Sequence, residues 1–221
     1  MENIQRMKFN VSLLGESHVG KTCIASVFTG HEFDMNALTT IGLENYLANE
    51  TFDGKVYKFK IFDTAGQERY RSIALNTINL SDGFLLVFAV DDRNSFETLG
   101  EWIKSIEDKC DISKKVLILV GNKIDIEKRE VKNEEAVSFA NLKKIDYFET
   151  SAKTGFGIKE TFHKIFESVY KKYKENEKLE KLENEQNNQI EKERPSITLE
   201  KNNVNQKEKK QKKGGFCFIG K

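Results

Sequence analysis

Residues 8–22 read Lys-Phe-Asn-Val-Ser-Leu-Leu-Gly15-Glu16-Ser17-His18-Val19-Gly20-Lys21-Thr22. The first seven, Lys8–Leu14, form a short apolar run that predicts a strand, and Lys21–Phe28 has the composition of a helix. Between them Gly15–Thr22 follows the pattern G-x-x-x-x-G-K-[ST]. Glycines at its ends let the backbone turn tightly enough to aim successive N–H groups at phosphate oxygens, and the helix that starts there adds the positive end of its dipole. Lys21 is placed to reach β- and γ-phosphates, and the Thr22 hydroxyl to ligate Mg²⁺. This motif alone points to a nucleoside triphosphate and does not choose the base.

Outward from the loop, strands and helices alternate through residue 173. Glu44–Phe52 and Lys55–Phe62 predict two strands joined at Asp53-Gly54, a strong hairpin signal. Phe84–Val90 and Val116–Val120 are almost wholly apolar, as expected for strands covered on both faces. Ser95–Glu107 spaces Phe96, Leu99, Trp102, Ile103 and Ile106 as a helix does. A helix over Asn133–Lys143, a strand over Tyr147–Glu149 and a helix from about Gly157 complete the series. The expected fold class is α/β: a mostly parallel six-stranded sheet, one antiparallel edge strand, and helices on both faces.

Asn122-Lys123-Ile124-Asp125 directly follows the run Val116–Val120, at the carboxyl edge where open α/β sheets bind ligands. A carboxylate at Asp125 can accept from guanine N1–H and from the 2-amino group together. Adenine offers no such donor pair, and mismatches of this kind discriminate by roughly 10⁴–10⁵. Asp63-Thr64-Ala65-Gly66-Gln67 ends the strand Lys55–Phe62. An acid there is placed to hold the Mg²⁺ shell, Gly66 to offer a backbone N–H to a γ-phosphate, and Gln67 to orient an attacking water.

The stretches GESHVGKT, TTIG, DTAGQERYRSI, GNKID and TSAK, in this order and spacing, resemble the Ras superfamily of small GTPases. The run QERYRSI and the basic, cysteine-bearing tail are most similar to its Rab branch, the regulators of vesicle traffic. The resemblance covers about residues 7–173 and implies a P-loop small G domain that hydrolyses GTP slowly and works as a switch. It implies a nucleotide-binding stretch from Gly15 through Cys23, with Thr40 on Mg²⁺ and the γ-phosphate and Phe33 packed edge-on against guanine. It also implies that Ser151, Ala152 and Lys153 form a base-contacting loop, with the Ala152 N–H on guanine O6. Exchange factors, GTPase-activating proteins and effectors are implied partners, since the site has no obvious arginine in cis beyond Arg69 and Arg71. Several positions depart from the family pattern. His18 stands where a small residue is usual, Asn45 replaces an aromatic, Phe62 replaces a tryptophan, and Asn76–Leu80 replaces a tyrosine-rich stretch. Two alternatives follow from these departures: a GTP-loaded scaffold with little hydrolysis, or a Ras-like signalling GTPase outside the Rab branch.

The bulk numbers permit this reading. The 221 residues suffice for one domain and its appendages, and the net charge of +1 gives no overall reason to expect nucleic acid. Through residue 175 there are 25 Lys+Arg against 27 Asp+Glu, and beyond it 11 against 8, so an acidic body carries a basic tail. Cys23, Cys110 and Cys217 have neither disulfide-framework density nor metal-ligand spacing, which suits a reducing cytosol. No apolar run approaches the ~18 residues of a membrane span. The expectation is a G domain over 1–175, a monomer, and a flexible tail over 176–221. The tail has few apolar residues with which to offset its ordering entropy. It ends in a lysine cluster, Lys207–Lys213, and then Cys217, fifth from the terminus and a candidate for prenylation. Attachment through that cysteine places a cytoplasmic protein reversibly on the cytosolic face of an intracellular membrane.

Overall fold

A computed structural model describes residues 8–34, 43–64 and 71–193, with side chains of 71–73 and 182–193 excepted. The elements are β1 (Lys8–Leu14), α1 (Lys21–Phe28), β2 (Leu43–Phe52), β3 (Lys55–Thr64), α2 (Arg71–Ile78), β4 (Gly83–Ala89), α3 (Arg93–Glu97), α4 (Leu99–Glu107), β5 (Val116–Asn122), α5 (Asn133–Lys143), β6 (Asp146–Glu149) and α6 (Ile158–Glu193). The sheet order is β2-β3-β1-β4-β5-β6. Every pairing is parallel except β2 with β3, so the hairpin turning at Asp53-Gly54 forms the one antiparallel edge. Asp53 itself adopts positive φ (49°), as the turn requires.

Each face of the sheet buries its own core. On one side Phe9, Val11, Leu13, Tyr57, Phe59, Leu85 and Val87 meet Ile24 of α1 and Phe162, Ile165 and Phe166 of α6. On the other, Leu14, Phe84, Leu86 and Phe88 meet Ala74 and Ile78 of α2, Trp102 and Ile106 of α4 and Ala136 of α5. All seven residues of β4 are buried, which explains its unbroken apolar composition.

Two details differ from the sequence expectation. The helix over residues 95–107 is two: α3 starts at Arg93, capped by Asp92 Oδ1 accepting from the Ser95 N–H (3.2 Å), and a break at Thr98 separates it from α4. Helix α2 is an addition that the apolar pattern does not announce. Its buried row of Ala74, Thr77 and Ile78 includes a threonine and an alanine, so its apolar contrast is faint. The last helix, α6, is prolonged past residue 175 to Glu193. Glutamate and lysine are good helix formers, and the pairs Glu167–Lys171 (2.7 Å) and Glu177–Lys181 (3.1 Å) lie at i,i+4 in the favoured order. The chain divides into two units, residues 1–181 and 182–221, and the first contains the whole sheet.

Candidate nucleotide site

Among the described residues, most of those singled out in the sequence lie at or just beyond the carboxyl ends of β1, β3, β5 and β6. Parallel strands make this possible, because register brings their ends level: Leu13 pairs with Asp63, and Ala89 pairs with Asn122. The Thr64 hydroxyl donates to the Leu13 carbonyl (2.7 Å), fastening the end of β3 to the start of the glycine loop.

The loop from Gly15 to Gly20 is shaped by its backbone. Gly15 has φ 146°, and a Cβ there would lie 2.1 Å from the Val87 carbonyl oxygen. Gly20 caps α1 at φ 95°, and no side chain caps the helix, so the first-turn N–H groups open towards the loop. His18 holds φ 64° with its side chain exposed, a conformation costing about 1 kcal/mol in a non-glycine residue. The Ser17 hydroxyl is buried and has no hydrogen-bond partner among the described residues, a donor left over for a ligand oxygen.

Lys21 is 5% exposed, and its ammonium donates to the Gly15 and Glu16 carbonyls at 2.8 and 2.7 Å. Burial lowers its pKa to about 8, against the opposing pull of the Asp63 and Glu16 carboxylates. The Thr22 hydroxyl donates to Asp63 Oδ2 (2.6 Å), and Asp63 is fully buried. A hydroxyl and a carboxylate oxygen thus converge beside the loop, and such hard oxygen donors suit Mg²⁺, which takes its remaining ligands from water and phosphate. Cys23 follows in α1, partly buried, its thiol pKa raised chiefly by burial.

The opposite end of the site is held by side chains. Asn122 is 1% exposed and ties three segments together. Its Nδ2 donates to the Val19 carbonyl (2.8 Å), while its Oδ1 accepts from the Thr150 hydroxyl (3.1 Å) and the Ala152 N–H (3.2 Å). Asp125 accepts from the Ser151 hydroxyl (2.6 Å), and Lys153 lies 3.9 Å from its other oxygen. Lys123, at φ 68°, pairs with Asp91 (3.2 Å) at the end of the β4 segment. Phe33 packs partly buried against the α1–α6 core. Thr40, Gly66, Gln67 and Cys217 lie outside the described residues.

A phosphate-type loop and a base-end carboxylate on one sheet edge match a known pattern, and the sequence model of the Ras family covers residues 10–171. The chain belongs to the Ras family. It is similar to the Ras-related protein Rab-13 of Canis lupus familiaris, 36% identical over 165 residues, which are 74% of this chain and 81% of the relative. It is also similar to the GTP-binding protein ypt3 of Schizosaccharomyces pombe, 37% identical over 164 residues (74% and 76% of the two chains). The Ras-related protein RABA2a of Arabidopsis thaliana is 38% identical over 164 residues (74% and 75%). The chain is thus a Rab-like small GTPase, and therefore a hydrolase acting on GTP.

Sequence reading alone misses Asp91, Trp102 and Thr150. Trp102 Nε1 donates to Glu16 Oε1 (3.2 Å) from 86 positions away, and Thr150 reaches Asn122 across 28. No local pattern announces such contacts. Only the level ends of the parallel strands bring them about.

Proposed function

We propose that this Rab-like GTPase is a timer of intracellular vesicle traffic, with its nucleotide lying across the carboxyl edge of the sheet. Asn122 carries the reading, because one buried amide ties the phosphate loop at Val19 to the base loop at Ala152. Guanine would sit with its N1–H and 2-amino group on Asp125, flanked by Lys123, Ser151, Ala152, Lys153 and Phe33. The phosphates would lie along Gly15–Cys23, where Lys21 would offer its remaining N–H donor and Ser17 its hydroxyl. Thr22, Asp63 and Thr40 would hold Mg²⁺, which when bound neutralises charge on the β- and γ-oxygens.

Hydrolysis would then depend on the chain's own groups. Gln67 would orient the attacking water, and the Gly66 N–H would follow the γ-phosphate. Order in the segments bearing Thr40 and Gly66 would last only while that phosphate is present. An arginine from an activating protein would supply the missing transition-state cation, as it does in the relative Ras, where such a finger speeds hydrolysis ~10⁵-fold. An exchange factor would reload GTP, and effectors would read the ordered state of the monomer.

Attachment to the cytosolic face of a membrane would come from the tail. One lipid chain on Cys217 binds only marginally, and the lysines at 207, 209, 210, 212 and 213 would provide the second signal. Among the described residues no helix is long and apolar enough to cross a membrane.

Single-turnover hydrolysis of preloaded GTP tests the switch. Gln67→Leu should bind GTP as the parent does and hydrolyse it far more slowly. Hydrolysis at the parental rate would remove Gln67 from the mechanism. An unmodified Cys217 in the membrane-bound pool, by intact mass, would remove the lipid anchor.

A further inference from the structure

Trp102 sits in the buried row of α4 with Leu99, Ile103 and Ile106, and it is 1% exposed. Most of its ring is ordinary core. Its indole N–H is not, because it reaches out of the core to the carboxylate of Glu16 (3.2 Å), the second residue of the phosphate loop. The backbone carbonyl of the same Glu16 accepts from the buried Lys21 ammonium at 2.7 Å. Indole, carboxylate, loop backbone and ammonium therefore form one connected chain from α4 to the group placed to meet the phosphates.

We propose that Trp102 is a positioning residue for nucleotide retention: by tethering Glu16 it holds the first half of the phosphate loop in the shape that seats Lys21. An indole has a single N–H in a fixed direction, and a donor anchored in a packed core costs no further ordering when the ligand arrives. A bond to a charged acceptor is also among the stronger hydrogen bonds. This role for Trp102 rests on the reading of Gly15–Cys23 as a phosphate cradle.

Release of a fluorescent GDP analogue from the full chain tests it. The variants are Trp102→Phe, which keeps an aromatic ring and removes the donor, Glu16→Gln, which keeps an acceptor and removes the charge, and Glu16→Ala, which removes both. Trp102→Phe and Glu16→Ala should each speed release on the order of tenfold, as expected for losing a hydrogen bond to a charged group. Their double variant should release no faster than the faster single one. Glu16→Gln should release at a rate between those of the parent and Glu16→Ala. A tryptophan with only a packing role would lower the melting temperature and leave the release rate unchanged.

Parental release from Trp102→Phe, or multiplying effects in the double variant, would overturn the proposal. Should Trp102→Phe fail to fold, parental release from Glu16→Ala overturns it equally. If the parent itself does not hold the GDP analogue, the cradle reading fails instead, and the two failures are told apart in the same assay.

Discussion

Where the phosphate loop takes its shape from backbone, with Gly15 at φ 146° and Gly20 at φ 95°, the base loops take theirs from side chains. There Asn122 makes three hydrogen bonds and Ser151 holds Asp125. In the first region the charged group is turned inward: Lys21 donates to two carbonyls of its own loop, which leaves one of its three N–H donors over. In the second, Asp125 already stands oriented with its side chain 17% exposed. The base loops are therefore fastened by side-chain hydrogen bonds, and the phosphate loop by backbone shape and one buried ammonium. Substitutions should separate the two, with specificity changes at one end and changes in stability and charge linkage at the other.

The largest effect is expected at the base end. Asp125→Asn should move preference from guanine to xanthine, whose 2-oxo group accepts where guanine donates, by about 10⁴. Competition of GDP and XDP for a fluorescent nucleotide measures it. The Ser151 hydroxyl can still donate to the new amide oxygen, so the unfolding midpoint in urea should hardly change. A large loss of stability would mean that Asp125 is a structural post and the contrast between the regions is false.

Gly15→Ala should do the reverse. Its Cβ would lie 2.1 Å from the Val87 carbonyl oxygen, a backbone atom of a fully buried strand. The loss of stability should be on the order of 3 kcal/mol, read from the urea midpoint. Whatever nucleotide still binds should keep the parental ratio of GDP to XDP affinity.

Asn122 is the bridge between the regions, and Asn122→Ala should harm both. It strands the Val19 carbonyl and the Ala152 N–H in a buried site, at about 2 kcal/mol. Faster release of GDP and of guanosine alone would show both loops loosened. Faster release of GDP only would confine its role to the phosphate end.

These contrasts also explain how much of the molecule is legible in the chain. Short apolar runs with a glycine loop between strand and helix mark the parallel strands. Asp53-Gly54 marks the antiparallel edge, because a two-residue turn needs that chemistry. Helix α2 stays hidden since Thr77 occupies a buried position where an apolar residue would have signalled it. The break at Thr98 leaves the apolar spacing on both sides intact, so periodicity cannot show it. In the site, glycine and charge spacing reveal the phosphate loop, whose geometry is local. The organisation around Asn122 joins residues 103 and 30 positions apart, and spacing of that kind carries no signal until the sheet exists.

Proton linkage gives the sharpest test of Lys21, because two observables should move in opposite directions with pH. Its pKa is lowered to about 8 from the ordinary lysine value of 10.5, chiefly by burial. The folded state therefore binds its proton less tightly than the unfolded state. Between about pH 8 and 10.5 the unfolded chain holds the proton and the folded chain does not, so stability should rise with pH, by roughly 3 kcal/mol at most. Phosphate favours the charged ammonium, so GDP affinity should be flat below pH 8 and fall above it, reaching about tenfold weaker at pH 9. Lys21→Met carries no proton to release and fits the same slot with an apolar chain. It should abolish Lys21's share of both slopes: against the parent, the variant's curve of stability against pH should lose the rise, and its weaker affinity should lose the fall. Other lysines and tyrosines titrate in the same range, which makes the difference between parent and variant the quantity to measure. If the two proteins give parallel curves, Lys21 is not the titrating group.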